Sequence, residues 1–209
     1  MTVHAVVNGA VIVGVVLVMA VVTRGLWTTP RPSGPLTGRT LPVDALPGWR
    51  LAALVLIGYV FLSGVTVLLW IPIPGTLSTP AKNAAAVAGS VAFVAGVLLV
   101  LWGRHALGPM WTVTTGMGVR LHTGHQLIRT GPYAIVRHPM YLGFWLLLAG
   151  TVLIYRTWVL VAYLLLAMAR FSGRARMEER ALAAAFGPEW REYAGRVPMW
   201  VPRRSGRRP

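Results

Sequence analysis

The chain has 209 residues, 56% of them hydrophobic and only 12% charged, with a mean hydropathy of +0.63. This is far more apolar than a water-soluble globular domain and marks a membrane protein. The absence of cysteine excludes disulfides, thiolate metal sites and a cysteine nucleophile, and the formal net charge of +15 has to be explained by where the arginines lie.

Four apolar blocks follow one another along the chain. Val3 to Val22 carries no fixed charge, and at about 1.5 Å per helical residue it matches a hydrocarbon core of about 30 Å. It lacks a basic leading region and is too long for a signal-peptide core, so it is expected to remain as a helix. Leu51 to Trp70 is the second span, stopped by the prolines of IPIPG. Asn83 to Trp102 is the third. Met140 to Ala169 is too long for one crossing and is interrupted by Tyr155-Arg156-Thr157, which predicts a tight helical hairpin of two short legs.

The expected fold is therefore an all-α integral membrane protein with five transmembrane helices. Arginine placement supports that count, because basic residues accumulate in cytoplasmic loops. With the N-terminus outside and the C-terminus cytoplasmic, the segments 24–50, 103–139 and the tail from 170 share the cytoplasmic side. They hold every basic residue of the 20 except Lys82 and Arg156. A four-span reading would separate the tail from the 103–139 loop and scatter the charge. A bacterial cytoplasmic membrane is the expected location.

No internal repeat or low-complexity tract divides the chain, so residues 1–209 are read as one membrane domain. Its first part, 1–102, holds three spans and a proline-rich loop, 24–50; its second part, 103–209, holds the remaining loop, the hairpin and the tail. The charge follows topology, so nucleic acid is not an expected partner. The terminal RRSGRR suits anionic lipid headgroups at the cytoplasmic face.

Residues 125–143, HQLIRTGPYAIVRHPMYLG, are the polar exception at the mouth of the hairpin. Gly131-Pro132 reads as a turn, Pro139 as a first-turn helix residue, and Tyr141 as an interfacial anchor. Those local roles leave His125 and His138 unexplained. Arg137 and His138 also oppose the helix dipole, a conflict that an anionic ligand would resolve. In the tail, every acidic residue but Asp44 lies between 174 and 202. Arg174 and Glu178 are four apart and share a helix face. Read alone, this segment is an amphipathic interfacial helix.

Taken together, these segments resemble the isoprenylcysteine carboxyl methyltransferase family, to which phospholipid methyltransferases are related. The first part of the pattern is His125, Leu127, Ile128, Gly131 and Tyr133. Arg137, His138, Pro139, Tyr141 and Gly143 follow, and then the hairpin. The last part is Arg174, Glu178, Glu179, Leu182, Phe186, Gly187, Trp190, Tyr193, Val197 and Pro198. The spans before residue 103 match only as membrane helices.

The resemblance implies a cytoplasmic pocket for S-adenosyl-L-methionine. Its cofactor contacts map to His125, Gln126, Leu127, Ile128 and Tyr133, and to Arg137, His138, Pro139, Met140 and Tyr141. Glu178 faces the cofactor and Arg174 the substrate carboxylate, so these two carry the catalytic expectation; no metal is implied. The acceptor would be a lipophilic molecule from the bilayer, with carboxyl O-methylation first and N- or S-methylation as the alternative. Sterol-type membrane reductases using NADPH resemble the pattern more distantly, and the H-x-L-x-x-x-G-x-Y spacing favours the methyltransferase. A non-enzymatic basic scaffold or haem subunit is the third class. Haem would need histidines facing one another within spans, which His4, His105, His122, His125 and His138 do not provide.

Overall fold

The computed structural model describes residues 3–28, 36–37, 47–75, 77–111, 119–120 and 124–201. The RRSGRR tail, His122 and most of the proline-rich loop lie outside these residues. Five α-helices are described: α1 Val3–Thr28, α2 Gly48–Leu68, α3 Thr79–Leu107, α4 Pro139–Tyr155 and α5 Trp158–Arg196. A two-residue antiparallel pair, Leu36–Thr37 with Val119–Arg120, joins the loops after α1 and α3.

The helix ends follow local chemistry. Ser78 caps α3, its side chain accepting from the Ala81 amide, and Pro80 occupies the first turn, where no amide is needed. Gly108, at φ 50°, ends the helix. Pro139 opens α4 in the same way, and Arg156 closes it in the left-handed region at φ 50°. Only Arg156 and Thr157 separate α4 from α5.

Glycine sets how α3 meets α4. Gly89, Gly96 and Gly103 recur every seven residues on α3, and Gly143 and Gly150 do the same on α4. A Cβ added at Gly96 would lie 2.6 Å from the Gly143 carbonyl oxygen, and one at Gly89 would lie 2.7 Å from that of Gly150. The two backbones therefore touch directly, the close approach that small residues allow between membrane helices. Phe93, Val97 and Val100 of α3 and Leu147 of α4 pack with Val11 and Val18 of α1 to form the core.

The outer surface is apolar as well. Ile57, Val60 and Phe61 of α2 are 64%, 68% and 68% exposed, a surface suited to lipid rather than water. By length and composition three helices can cross a membrane: α1, α3 and α5. The apolar parts of α2 and α4, Ala52–Leu68 and Pro139–Tyr155, are shorter; the 17 residues of α4 rise about 26 Å.

The tail departs from expectation. It is not a separate interfacial helix, because α5 runs on past Ala169 into the tail and kinks only at Gly187, φ 50° and ψ −115°, ahead of Pro188. No proline interrupts the chain between Trp158 and Gly187, so apolar and charged turns share one rod.

At one end of the bundle the IPIPG segment pairs with the α4–α5 link. The Ile73 amide donates to the Arg156 carbonyl at 2.8 Å, and the Trp158 amide to that of Ile71 at 3.0 Å. The Tyr155 hydroxyl reaches Asn8 of α1 at 3.0 Å. The C-terminal end of α1 and the N-terminal end of α4 lie at the opposite end, where the polar segments collect.

Candidate active site at the arginine-rich end

His138 precedes α4 and lies 7% exposed between two carboxylates of α5. Its Nε2 is 3.3 Å from Glu179 Oε1, and its Nδ1 is 3.7 Å from Glu178 Oε2. Its ring stacks on Tyr141 at 5.7 Å and meets Trp200 at 5.3 Å. The dipole conflict expected at this helix start is thus met by two glutamates of the protein itself, and no ligand is needed to resolve it.

The adjacent glutamates point to different partners because neighbouring positions on a helix differ by about 100°. Glu178 accepts from the Tyr141 hydroxyl at 2.5 Å and from Arg174 Nε at 3.2 Å. Glu179 accepts from Arg137 Nε at 2.7 Å. Arg137 also donates through Nη1 to the carbonyls of Ala194 and Val197, at 2.7 and 2.8 Å. Its backbone amide reaches the Pro198 carbonyl at 2.9 Å. The guanidinium therefore binds the end of the kinked helix, whose last carbonyls need donors.

Below this network lies a cavity of about 360 Å³. His125, Leu127, Ile128, Tyr133 and Met140 line it, together with Arg137, His138 and Tyr141 of the RHP segment and Arg174 and Glu178 of α5. Gln126 is exposed and Pro139 is fully buried, and neither lines the cavity. Pro139 instead packs near Gly103 of α3. Three donors of Arg137 are committed to protein groups, so its main contacts are structural, although it borders the cavity.

Several wall residues carried no expected contact with the site. Leu107, Met110 and Trp111 enter from the end of α3, Val22 from α1, and Trp190 and Tyr193 from beyond the kink. Only Trp190 and Tyr193 among these stood in the sequence pattern, at helical intervals from Phe186. The Tyr193 hydroxyl donates to the Tyr133 carbonyl at 2.7 Å. Burial, reinforced by the nearby Glu178 carboxylate, pushes the Tyr133 phenol well above its usual range. Tyr133 thus stays a neutral hydroxyl.

Residues 88–184, from α3 into α5, match the isoprenylcysteine carboxyl methyltransferase family. Just under half of the chain is thus similar to that family. Among curated relatives in the comparison, the protein-S-isoprenylcysteine O-methyltransferase of Saccharomyces cerevisiae is 32% identical over 117 residues, 52% of this chain and 48% of that protein. Protein-S-isoprenylcysteine O-methyltransferase B of Arabidopsis thaliana is 36% identical over 85 residues, 40% of this chain and 43% of that protein. The cobalt-zinc-cadmium resistance protein CzcN of Cupriavidus metallidurans is 36% identical over 100 residues, 47% of this chain and 44% of that protein. The chain thus spans less than half the length of each of these relatives. The family match excludes α1, α2 and everything beyond residue 184, so Val22, Trp190 and Tyr193 border the cavity from outside the matched region.

Proposed function

We propose that this protein is an S-adenosyl-L-methionine-dependent integral membrane methyltransferase that methylates a carboxylate on a prenyl- or lipid-like acceptor. The observation that carries the reading is the convergence of Arg174 and Glu178 with His125, Tyr133, His138 and Tyr141 around one cavity. The donor set fits the cofactor. Glu178 offers acceptor oxygens for an amino group, the imidazoles offer donors for a carboxylate, and Leu127, Ile128 and the aromatic rings offer faces for adenine.

When bound, S-adenosyl-L-methionine supplies a methyl group on a sulfonium, and its transfer to a carboxylate is an in-line displacement in which opposite charges are lost. The protein's contribution is alignment and exclusion of water. Tyr141 and Arg174 hold Glu178 in one orientation, and Arg137 with Glu179 holds His138. Arg174 also orients the acceptor carboxylate, which needs no general base. Gln126 and Pro139 then act by shaping the backbone rather than by side-chain contact.

An amine or thiol acceptor is the second reading. It is favoured by one observation: Arg174 already pairs with Glu178 at 3.2 Å, which reduces its pull on an acceptor carboxylate.

The same proposal includes one membrane domain of five spans, with α4 and the first turns of α5 as a short hairpin. The N-terminus is outside and the C-terminus cytoplasmic. Arg24, Arg104, Arg137 and Arg174 at the site end, against Arg156 at the other, support that orientation. Anionic headgroups at the cytoplasmic leaflet are the expected lipid partners. The deciding experiment incubates purified protein in lipid nanodiscs with labelled S-adenosyl-L-methionine and an S-prenyl cysteine. Base-labile label in the extracted lipid is the expected result. Label stable to base would move the assignment to an amine or thiol.

A further inference from the structure

The cavity lining combines polar groups, His125, His138, Arg174 and Glu178, with a second, apolar wall that includes Val22 of α1 and Leu107, Met110 and Trp111 from the end of α3. We propose that Trp111 is the specificity-determining residue of this second wall and sets the size of the apolar chain that the cavity accepts. The inference rests on the lipophilic acceptor proposed above.

Three contacts fix the indole. It is 7% exposed and lies so close to α1 that a Cβ built on Gly25 would be 2.0 Å from ring atom Cζ3. Arg104 lies over the ring, 4.4 Å from its centroid, and is itself tethered by Nη1 to the Gly108 carbonyl at 2.9 Å. The Trp111 amide reaches the same carbonyl at 3.4 Å, closing the turn Gly108–Met110 that delivers the side chain. Gly108 is the left-handed stop of α3, so the turn and the ring position follow from one glycine. A ring held from α1, from Arg104 and from its own backbone cannot give way to a longer chain. A rigid apolar wall separates ligands that differ by a methylene by on the order of tenfold, whereas a yielding one does not.

The wall is adjustable in both directions. A side chain at Gly25 must displace the indole, and because Trp111 lines the cavity, Gly25→Ala is expected to push the ring into it and shorten the space for a chain. Trp111→Ala lengthens it, and Trp111→Phe does so by less.

The test measures binding and methylation of S-prenyl cysteines of increasing chain length by the full-length protein in nanodiscs, with S-adenosyl-L-methionine affinity measured in parallel. Gly25→Ala should shift preference to a shorter chain and Trp111→Ala to a longer one. Each should change the ratio of kcat/KM between neighbouring lengths by about tenfold, with cofactor affinity within a few-fold of the unaltered protein. If Trp111→Ala loses cofactor binding it has not folded, and Trp111→Phe and Gly25→Ala decide. Folded variants that keep the original length preference overturn the assignment of Trp111 while leaving the methyltransferase reading intact. If the unaltered protein binds cofactor but neither binds nor methylates any member, the acceptor class falls, and this inference with it.

Discussion

Arg137 donates from Nε to Glu179 Oε1 at 2.7 Å, and the same guanidinium holds the carbonyls of Ala194 and Val197 beyond the Gly187 kink. One side chain thereby joins the start of α4, the middle of α5 and the end of the chain's last described helix. Arg137→Ala leaves Glu179 without its arginine partner and two helix-end carbonyls without their donor, at a cost of about 2 to 3 kcal/mol. The expected result is a lower melting temperature in detergent and faster tryptic cleavage after Arg191 and Arg196. Arg137→Lys should not restore either, because an ammonium cannot reproduce the guanidinium fork. Unchanged cleavage in both variants would refute the clamp.

Glu178 and Arg174 should fail in different ways. A lost charge-assisted hydrogen bond to a ligand costs about 1.5 to 3 kcal/mol, or roughly ten- to a hundred-fold in affinity. Glu178→Gln and His138→Ala should weaken S-adenosyl-L-methionine binding by that factor in calorimetry. Arg174→Ala should keep cofactor affinity within a few-fold and lose turnover of a carboxylate acceptor. Retention of most activity in Arg174→Ala would favour the amine or thiol acceptor.

The glycine contact between α3 and α4 makes a stability prediction. Gly96→Ala puts a Cβ 2.6 Å from both the Gly143 carbonyl oxygen and the Leu147 amide nitrogen, neither of which can move alone. Overpacking of this kind costs about 1 to 3 kcal/mol. Gly58→Ala on α2 has nothing within 4 Å and serves as the control. Thermal unfolding in detergent should separate the two, and equal melting temperatures would contradict the packing described.

The orientation across the membrane can be read by labelling, because the chain contains no cysteine. Arg156→Cys should react with an impermeant maleimide on intact cells, and Glu192→Cys only after permeabilisation. The opposite pattern would invert the proposed topology.

Tyr133 links stability to alkaline pH. Its phenol is held above the ordinary value of 10.0 by burial, so near and above that pH the unfolded chain releases this proton while the folded protein retains it. Stability should therefore be constant below about pH 9 on this account and fall as pH rises through the phenol range, by up to about 1.4 kcal/mol per pH unit. Tyr133→Phe removes this contribution to the slope. Melting curves across the alkaline range that are parallel for both proteins would show that Tyr133 does not carry it.

Local chemistry visible in the residues determined where helices start and stop: the prolines of IPIPG after α2, Pro139 in the first turn of α4, and the break at Arg156. It also located the segments that meet at the cavity, since His125, Tyr133, His138, Tyr141, Arg174 and Glu178 all stand in a recognisable order. The seven-residue glycine spacing on α3 and α4 was equally present in the chain, but a small side chain signals contact only once its partner backbone is known. Tertiary structure alone decided that Glu179 braces Arg137, that Gln126 and Pro139 turn away from the cavity, and that Val22 and Trp111 complete the wall. Periodicity places residues on faces of a single helix; which face meets which neighbour depends on the packing of several helices at once, and the charged network at the end of this bundle forms only after that packing is set.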